Sequence, residues 1–396
     1  MRLSPRLTRS LSSVIYHKTK GNPLFVSQLM LSLSKEGLLR PSLSRRRWEW
    51  DKEKIQSQKL PDDVAMFITE SIQALSADVK SSICVLSCFG ASADITVIKT
   101  LDGALNKNLV DNLDVAVREG LLDKADNQYR FSHDRIQEAA YNMMHILDRC
   151  NFHFFYGMTL APADGETDDS LLLVAANQLN LAGPEAVQDK SQNAVVANLN
   201  LRAGKKAMEM SDFVAAYFYF DNGISFLRKK HWEEHYALSL ELFDLAARCA
   251  HTNGDVISLN LLSQQVLTKS QSFEDKLNVM YYAMCVLASS SKLPESIERG
   301  LKILSRLGID LQGCESGSVE ACVQETKDLL SGYSDDEILN TERMTDQTKI
   351  MAMKFLGILE TGMTQIMPKS APYVTQRIIQ LSLLHGMSPV SPIGFA

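Results

Sequence analysis

The sequence predicts a mainly α protein: a pair of N-terminal helices, then a winged-helix domain with a small β-hairpin, then a tetratricopeptide-like α-solenoid. Three observations predict this order. Apolar residues recur at helical spacing along most of the 396 residues. Two short extended runs flank a turn near residue 126. Similar turns recur 43 residues apart in the second half of the chain.

The N-terminal helices lie on either side of a break at Gly21-Asn22-Pro23. The second helix is expected over residues 24–36, with Gly37 just beyond its end, where glycine is favoured. Trp48 and Trp50 alternate around a glutamate, which predicts a short strand or hairpin.

Residues 62–160 are interpreted as a winged-helix unit. Four helices precede two extended runs around Ala125-Asp126-Asn127, which indicates a β-hairpin. Ser132 is expected to cap a further helix that runs to about Leu147, which would place His133 in its first turn. Winged helices often bind DNA through the helix before the hairpin. Here that helix is net acidic, a poor match for phosphates.

The second half is helical throughout. Gly204, Ala216, Phe220 and Gly223 fall at relative positions 8, 20, 24 and 27 of a tetratricopeptide-type unit, where small residues let two helices approach closely. An α-solenoid of this kind presents a surface to other protein chains. We therefore expect protein partners bound through the repeats.

Composition excludes several classes of protein. Apolar residues make up 45% and charged residues 22%, as in ordinary globular domains. Residues 1–55 carry 12 Lys and Arg against 4 Asp and Glu, but the whole chain has a net charge of −6, so we expect no nucleic-acid partner. No run of 18 apolar residues is present, so we expect no membrane partner.

Cysteine usage indicates a reducing compartment. Seven cysteines are scattered without a C-x-x-C pair or a matching His pair, which predicts free thiols and no metal site. We therefore expect a cytoplasmic protein. The first 35 residues lack Asp and Glu and are rich in Arg and Ser, which is also typical of an organelle transit peptide. The apolar spacing of the same residues favours a helix of the folded domain instead.

The chain is not expected to be an enzyme by itself. It contains no G-x-x-x-x-G-K-[ST], G-x-G-x-x-G or G-x-S-x-G sequence, so it has no complete phosphate-binding loop and no nucleophile elbow. His231 to His235 spells H-x-x-E-H, in which two histidines could share a metal with Glu234 activating water. Their position between two repeat hairpins favours an ordinary structural role, and we name no catalytic and no metal-binding residue.

Two short motifs are candidate ligand sites. At Gly21, Asn22 and Pro23, glycine permits an unusual backbone and proline offers a flat apolar ring to a planar ligand such as adenine; the alternative is a plain turn with proline in the first helical turn. At His133 the helix N-terminus favours an anion such as a phosphate, with Arg135 as a second contact. The alternative there is a neutral histidine packed against the hairpin.

These segments together resemble a known class. The matching stretches are Tyr16–Val26, Gly37–Leu39, Trp48–Asp51, Tyr129–Tyr141 and Leu381–Pro389. They are similar to predicted ATPases of the STAND class, large signalling proteins with an Orc-like AAA ATPase domain. In those proteins the domain often lies between a protein kinase domain and a GAF plus histidine kinase or cyclase module.

The resemblance implies roles for the two motifs. Gly21-Asn22-Pro23 is similar to the G-x-P motif, whose proline packs on adenine. His133 is placed like the histidine of the Met-His-Asp motif in related NB-ARC switches, where it contacts the β-phosphate of ADP and holds the closed state. ATP or ADP would then be bound only in the intact ATPase, and no cofactor is required by this chain alone.

The Walker A and B segments of the family are expected upstream of residue 1, and the last repeat reads as unfinished. This predicts residues 1–60 as a helical lid remnant of the ATPase, 61–160 as the winged helix, 161–193 as a linker and 194–396 as truncated repeats. The predicted function is a regulatory segment of a STAND-type signalling ATPase. The alternative is a stand-alone tetratricopeptide-like interaction module with a vestigial winged helix.

Overall fold

The computed structural model describes residues 5–42, 44, 47–57, 64–162, 170–309, 311 and 319–395. Within them the chain is mainly helical with two small antiparallel sheets, which confirms the predicted fold class. No helix in these ranges is long and apolar enough to cross a bilayer. The predicted domain boundary at residues 60–61 lies outside the described residues, as does Cys314.

The chain forms two compact units, residues 1–190 and 191–396. The helices of the first unit are α1 (Pro5–Thr19), α2 (Pro23–Lys35), α3 (Lys52–Ser57), α4 (Val64–Gln73), α5 (Ala77–Ser87), α6 (Ile95–Leu105), α7 (Leu109–Arg118), α8 (Asp134–Asn142), α9 (Ile146–Leu160) and α10 (Leu172–Ala182). Its strands are β1 (Leu39–Ser42), β2 (Arg47–Trp50), β3 (Ser92–Asp94), β4 (Leu122–Ala125) and β5 (Gln128–Phe131). The four-part division of the chain stays a prediction.

The first two helices pack with α3 and the β1–β2 hairpin around a small apolar core. The break between α1 and α2 falls at the predicted position, and Leu39 pairs with Trp50 across the hairpin. The predicted pair of helices and the predicted hairpin are therefore both present. The buried residues of this core are Leu11, Val14, Ile15, Leu29, Leu33, Leu39 and Ile55.

The elements α5, β3, α6, α7, β4 and β5 follow one another along the chain, and the three strands form one antiparallel sheet with the order β3-β5-β4. The β4–β5 hairpin turns at Asp126-Asn127, and Asp126 has a φ of 50°, a left-handed backbone that short polar residues tolerate. The predicted hairpin is present. Strand β3 was not predicted, because three residues, Ser-Ala-Asp, carry no strand pattern and are held by pairing with β5.

The start of α8 differs from the prediction. The Ser132 N–H donates to the Leu121 carbonyl at 3.1 Å, and its Oγ donates to the Gly120 carbonyl at 3.3 Å. These bonds tie Ser132 to the loop before β4, so the helix begins one residue later, with His133 as its N-cap. The expectation that Ser132 caps the helix and that His133 lies in the first turn was wrong.

The end of α8 also differs. The helix ends at Asn142 and not near Leu147. A second helix, α9, begins at Ile146 because the His145 side chain caps it, with Nδ1 accepting from the Leu147 N–H at 3.4 Å. Two histidines thus cap two successive helices in the same way.

The second unit contains α11 (Lys190–Glu209), α12 (Phe213–Phe226), α13 (His231–Glu234), α14 (Tyr236–Thr252), α15 (Val256–Lys269), α16 (Leu277–Ser289), α17 (Leu293–Arg306), α18 (Val319–Leu330), α19 (Asp335–Leu339), α20 (Gln347–Ile366), α21 (Ala371–His385) and α22 (Ser391–Phe395). Short turns join the neighbouring helices from α11 to α15, as in a helical-repeat region.

The hairpins α11–α12 and α14–α15 are equivalent. The Asp212 N–H donates to the Ala207 carbonyl and the Asp255 N–H to the Ala250 carbonyl, each at 2.9 Å. Each aspartate side chain then caps the following helix, at 2.9 and 3.0 Å. The turns recur 43 residues apart, as the sequence spacing indicated.

Small residues bring the two helices of the first hairpin together. A Cβ added to Gly204 would lie 2.4 Å from a ring carbon of Phe220, which is fully buried. Gly223 in turn faces Leu242 of the next hairpin. The tetratricopeptide-like pattern therefore acts as expected, with glycine making room for an aromatic ring.

Candidate functional site

The turn before α2 has an unusual backbone. Lys20 and Gly21 both have left-handed φ values, 52° and 80°. The Thr19 Oγ1 donates to the Ile15 carbonyl at 2.9 Å and accepts from the Gly21 N–H at 3.3 Å, which fixes the turn. A Cβ on Gly21 would lie 3.1 Å from the Tyr16 ring, so glycine suits both the backbone and the neighbouring ring.

Asn22 and Pro23 begin the second helix. Asn22 is its N-cap, with Oδ1 accepting from the Phe25 N–H at 3.2 Å, and Pro23 occupies the first helical position. Both residues and Gly21 are exposed. These contacts are those of a plain turn with proline in the first helical turn. Because Pro23 is exposed, its ring is also accessible to a ligand.

An apolar groove of about 820 Å³ lies between α1 and α2 and includes Gly21. Its apolar walls come from Leu11, Ile15, Tyr16, Val26, Met30, Leu31, Leu39 and Trp48. Two aromatic side chains, Tyr16 and Trp48, are among them. A planar ring would find stacking partners here, next to the first turn of α2.

His133 is exposed, and one of its ring nitrogens is used locally. Nδ1 accepts from the Arg135 N–H at 3.2 Å, so the side chain itself satisfies one of the free N–H groups of the helix start. A neutral imidazole has one donor and one acceptor nitrogen, so Nε2 carries the proton. The group that His133 offers a ligand is therefore an Nε2–H donor.

Arg135 is also exposed. Its guanidinium forms an ion pair with Glu138 on the same helix at 2.8 Å. The interaction is an ordinary surface pair, which contributes about 0–1 kcal/mol. Arg135 could exchange this partner for an anion at low cost.

The two candidate motifs are joined by the loop between α7 and β4. The buried Gln28 of α2 donates from Nε2 to the Gly120 carbonyl at 3.1 Å. The same oxygen accepts from Ser132 Oγ at 3.3 Å, directly before His133. The Gly120 carbonyl therefore links Gln28 of α2 to Ser132, the residue directly before the N-cap of α8. We call this arrangement of Gln28, Gly120 and Ser132 the junction.

Two further contacts hold the junction. Lys35 at the end of α2 forms an ion pair with Glu119. Gly120 has a φ of 75°, and a Cβ there would lie 2.6 Å from Leu31 of α2. Sequence reasoning singled out neither Gln28 nor Gly120. The available signals were a polar side chain within an apolar helix and a glycine directly after the charged end of α7.

Local contacts hold the first histidine of the H-x-x-E-H sequence. The His231 Nδ1 lies 2.9 Å from Ser239 Oγ, and its ring stacks on Phe243 at 5.8 Å between centroids. Burial lowers the pKa of His231. Within the residues that the structure describes, no group of three His, Cys, Asp or Glu side chains could hold a metal ion. The contacts of His231 with Ser239 and Phe243 are those of a packed side chain.

The repeats expose large apolar side chains at equivalent positions. Val214 and Phe218 on α12 are 71% and 51% exposed, and Ile257 and Leu261 on α15 are 76% and 62% exposed. Val214 and Ile257 are 43 residues apart, as are Phe218 and Leu261, and the turns recur at the same spacing. Four such side chains in repeat register are more than scattered surface residues and favour a binding surface.

Comparison with known proteins gives one sequence relative and one structural neighbour. No family model matches the chain. The chain is 25% identical over 401 aligned residues to the hybrid signal transduction histidine kinase G of Dictyostelium discoideum. That alignment covers 85% of this chain but only 12% of the relative, so the chain spans about an eighth of its length. The chain is thus similar to part of a signal-transduction protein.

The structural neighbour is a signal transduction ATPase with numerous domains, or STAND protein, with a tetratricopeptide repeat sensor from Pyrococcus horikoshii. The superposition covers 96% of this chain and 57% of that one, with 13% sequence identity and a TM-score of 0.35.

Proposed function

We propose that this chain is the regulatory segment of a STAND-type ATPase signalling protein, a nucleotide switch followed by protein-interaction repeats, without catalysis of its own. The observation that carries the proposal is the junction, in which Gln28 and Ser132 share the Gly120 carbonyl. It places the helix that begins with Pro23 beside the helix that His133 caps. The sequence similarity to a signal-transduction protein supports the same function.

In this proposal Pro23 and the apolar groove receive the adenine, and the His133 Nε2–H donates to a phosphate oxygen of ADP. The nucleotide supplies the negative charge that the α8 N-terminus favours. Walker segments elsewhere in the longer protein would hold the remaining phosphates. The chain would then bind nucleotide only in that longer context and needs no cofactor alone.

The junction is weak enough to open in a switch. One hydrogen bond contributes about 0.5–1.5 kcal/mol net to stability. Two of them plus a surface ion pair therefore add up to about 1–4 kcal/mol, a range that overlaps the roughly 1–3 kcal/mol typical of coupling between allosteric sites. Exchange of ADP for ATP needs to supply only that difference to separate α2 from the winged helix.

The repeats are proposed to bind protein partners through their exposed apolar side chains Val214, Phe218, Ile257 and Leu261. A partner segment with matching apolar side chains would bury these side chains.

The described cysteines are free thiols, which supports a cytoplasmic location.

The experiment that tests the nucleotide role compares three variants in the longer protein that contains this chain. His133→Ala removes both the cap and the Nε2–H donor. His133→Asn keeps a good N-cap but removes the imidazole. His145→Ala removes the equivalent cap of α9 and serves as the matched control. ADP release is measured with a fluorescent ADP analogue.

Both His133 variants should release ADP about tenfold faster, because a lost hydrogen bond to a charged group costs about 1.5 kcal/mol or more. His145→Ala should leave the rate unchanged. Equal rates for all three variants would remove His133 from the nucleotide site. The chain would then be better explained as an interaction module with a vestigial winged helix.

A further inference from the structure

A second groove lies on the other side of α1 from the apolar groove. It has a volume of about 530 Å³ and is formed by α1 and the short helix α3. We call it the basic groove. Its lining residues are Arg9, Ser10, Ser13, Val14, His17, Lys18, Lys52 and Gln56.

The lining of the basic groove consists almost entirely of hydrogen-bond donors. It includes two lysines, an arginine, a histidine and two serines, and no carboxylate. The neighbouring Asp51 does not neutralise it, because its carboxylate accepts from the Lys54 N–H at 3.1 Å and pairs with the Lys54 ammonium at 3.5 Å. No carboxylate of the lining therefore offsets the charges of Arg9 and Lys52.

Some lysines elsewhere in the described part of the chain pair with carboxylates, among them Lys35, Lys54, Lys124, Lys205 and Lys302. Arg9 and Lys52 have no carboxylate partner among the described residues. Like charges repel one another, so an anion bound in the groove would relieve the repulsion between these side chains.

The spacing of the donors indicates the shape of that anion. Arg9, Ser13 and His17 are four residues apart on one face of α1, a row about 12 Å long at 1.5 Å per residue. Lys52 and Gln56 face it from α3. A single phosphate would reach only part of this row, whereas a chain of two or three phosphates would contact most of it.

We propose that the basic groove binds the polyphosphate chain of a small molecule. This site is independent of the nucleotide switch proposed above, because it lies on the opposite face of α1 from Gly21 and uses none of the switch residues. Arg9 and Lys52 carry the charge recognition, and Ser10 and Ser13 donate neutral hydrogen bonds.

The test is calorimetric titration of the 396-residue chain with tripolyphosphate, ATP and orthophosphate at low salt. Tripolyphosphate and ATP should bind with similar affinity and orthophosphate at least about tenfold more weakly, since each charge-assisted contact contributes about 1.5 kcal/mol or more. Binding of ATP without binding of tripolyphosphate would overturn the proposal, because it would show recognition of the nucleoside. Absence of binding by all three would also overturn it.

Three variants locate the site. Arg9→Gln and Lys52→Gln should each weaken tripolyphosphate binding about tenfold, and Ser13→Asp, which places a carboxylate in the groove, should abolish it. Lys99→Gln is the control, because it removes the same charge from an exposed position on α6, outside this groove. If Lys99→Gln weakens binding as much as Lys52→Gln, only the net charge matters and the proposed site is wrong. His133→Ala should have no effect, which separates this proposal from the nucleotide switch.

Discussion

The junction in the first unit and the α11–α12 hairpin in the second both depend on a glycine, for different reasons. Gly120 adopts a left-handed backbone and presents its carbonyl to Gln28 and Ser132, so a polar contact joins two elements. Gly204 lies inside a helix, where its missing side chain admits the Phe220 ring. The backbone of Gly120 therefore supports a hydrogen-bonded contact, whereas the missing side chain of Gly204 makes room for an apolar contact.

The two contacts are expected to differ in how much they stabilise the protein. Deleting a buried aromatic ring costs about 3–5 kcal/mol, whereas one hydrogen bond contributes about 0.5–1.5 kcal/mol. The hairpin is therefore expected to stay closed under conditions in which the junction opens. A switch placed at the junction would leave the repeat surface intact.

The largest expected effect is in the hairpin. Phe220→Ala should destabilise the second unit by about 3–5 kcal/mol, because it leaves a cavity against Gly204. Phe218→Ala on the same helix is the control, since Phe218 is 51% exposed and its loss should change stability by less than about 0.5 kcal/mol. Hydrogen exchange of the α11 and α12 amides measures both. Equal protection in the two variants would show that Phe220 does not hold the hairpin.

The next effect is at the junction. Gly120→Ala should cost about 1–3 kcal/mol, because the new Cβ both strains the left-handed backbone and meets Leu31. Gly90→Ala is the matched control: its φ is also left-handed, but nothing lies within 4 Å of its Cβ. Thermal unfolding of the two variants isolates the clash. If both lose the same stability, α2 does not press on Gly120 in solution.

Each unit contains a titratable group that is at least half-buried, His153 in the first unit and Asp244 in the second. His153 is 3% exposed, with both ring nitrogens within hydrogen-bond distance of partners, Gln178 at 2.7 Å and Tyr141 at 3.0 Å. Asp244 accepts from Asn278 at 2.7 Å through one carboxylate oxygen, while the other has no hydrogen-bond partner. Burial lowers the pKa of His153 and raises the pKa of Asp244 to about 6.

These pKa shifts have opposite consequences for stability. For His153 the unfolded state binds the proton more readily, so stability is lost as the pH falls below about 6.5. For Asp244 the folded state binds the proton more readily. The cost of ionising the half-buried Asp244 carboxylate is therefore fully present above pH 6 and disappears as the pH falls toward about 4.

Asp244→Asn should therefore stabilise the second unit at pH 8 by about 1–3 kcal/mol, and the gain should shrink as the pH falls through 6. Glu241→Gln, one turn away on the same helix and exposed, is the control and should change stability by less than about 1 kcal/mol. Calorimetric unfolding at pH 8 and pH 5 measures both. A gain for Asp244→Asn that is independent of pH would contradict a half-buried, ionised carboxylate.

How far the sequence anticipates the structure depends on the range of the interaction. The break at Gly21-Asn22-Pro23, the hairpin turn at Asp126-Asn127 and the repeated turns are each set by neighbouring residues, and all three were predicted. Strand β3 and the cap of α8 were not, because distant partners decide them. Ser132 and His133 can both cap a helix, and contacts of Ser132 with Leu121 and Gly120 select His133.

The candidate site shows the same limit. Local patterns located Pro23 and His133 but not the junction between them, since nothing near Gln28 in sequence indicates that it meets Gly120. Whether Gly21, Asn22, Pro23, His133 and Arg135 bind nucleotide stays a prediction.

The smallest expected effect tests the junction hydrogen bond directly. Gln28→Met keeps the size of the buried side chain but leaves the Gly120 carbonyl with Ser132 as its remaining side-chain donor, and should cost about 0.5–1.5 kcal/mol. Gln137→Met is the matched control, because it removes a similar bond, from Nε2 to the Ser87 carbonyl at 3.0 Å, elsewhere in the first unit. Both variants should lose similar stability, but only Gln28→Met should speed hydrogen exchange in α2 and at the start of β4. Equal exchange at those amides in both variants would mean that other contacts hold α2, and the junction would then be a consequence of its packing and not the device that positions it.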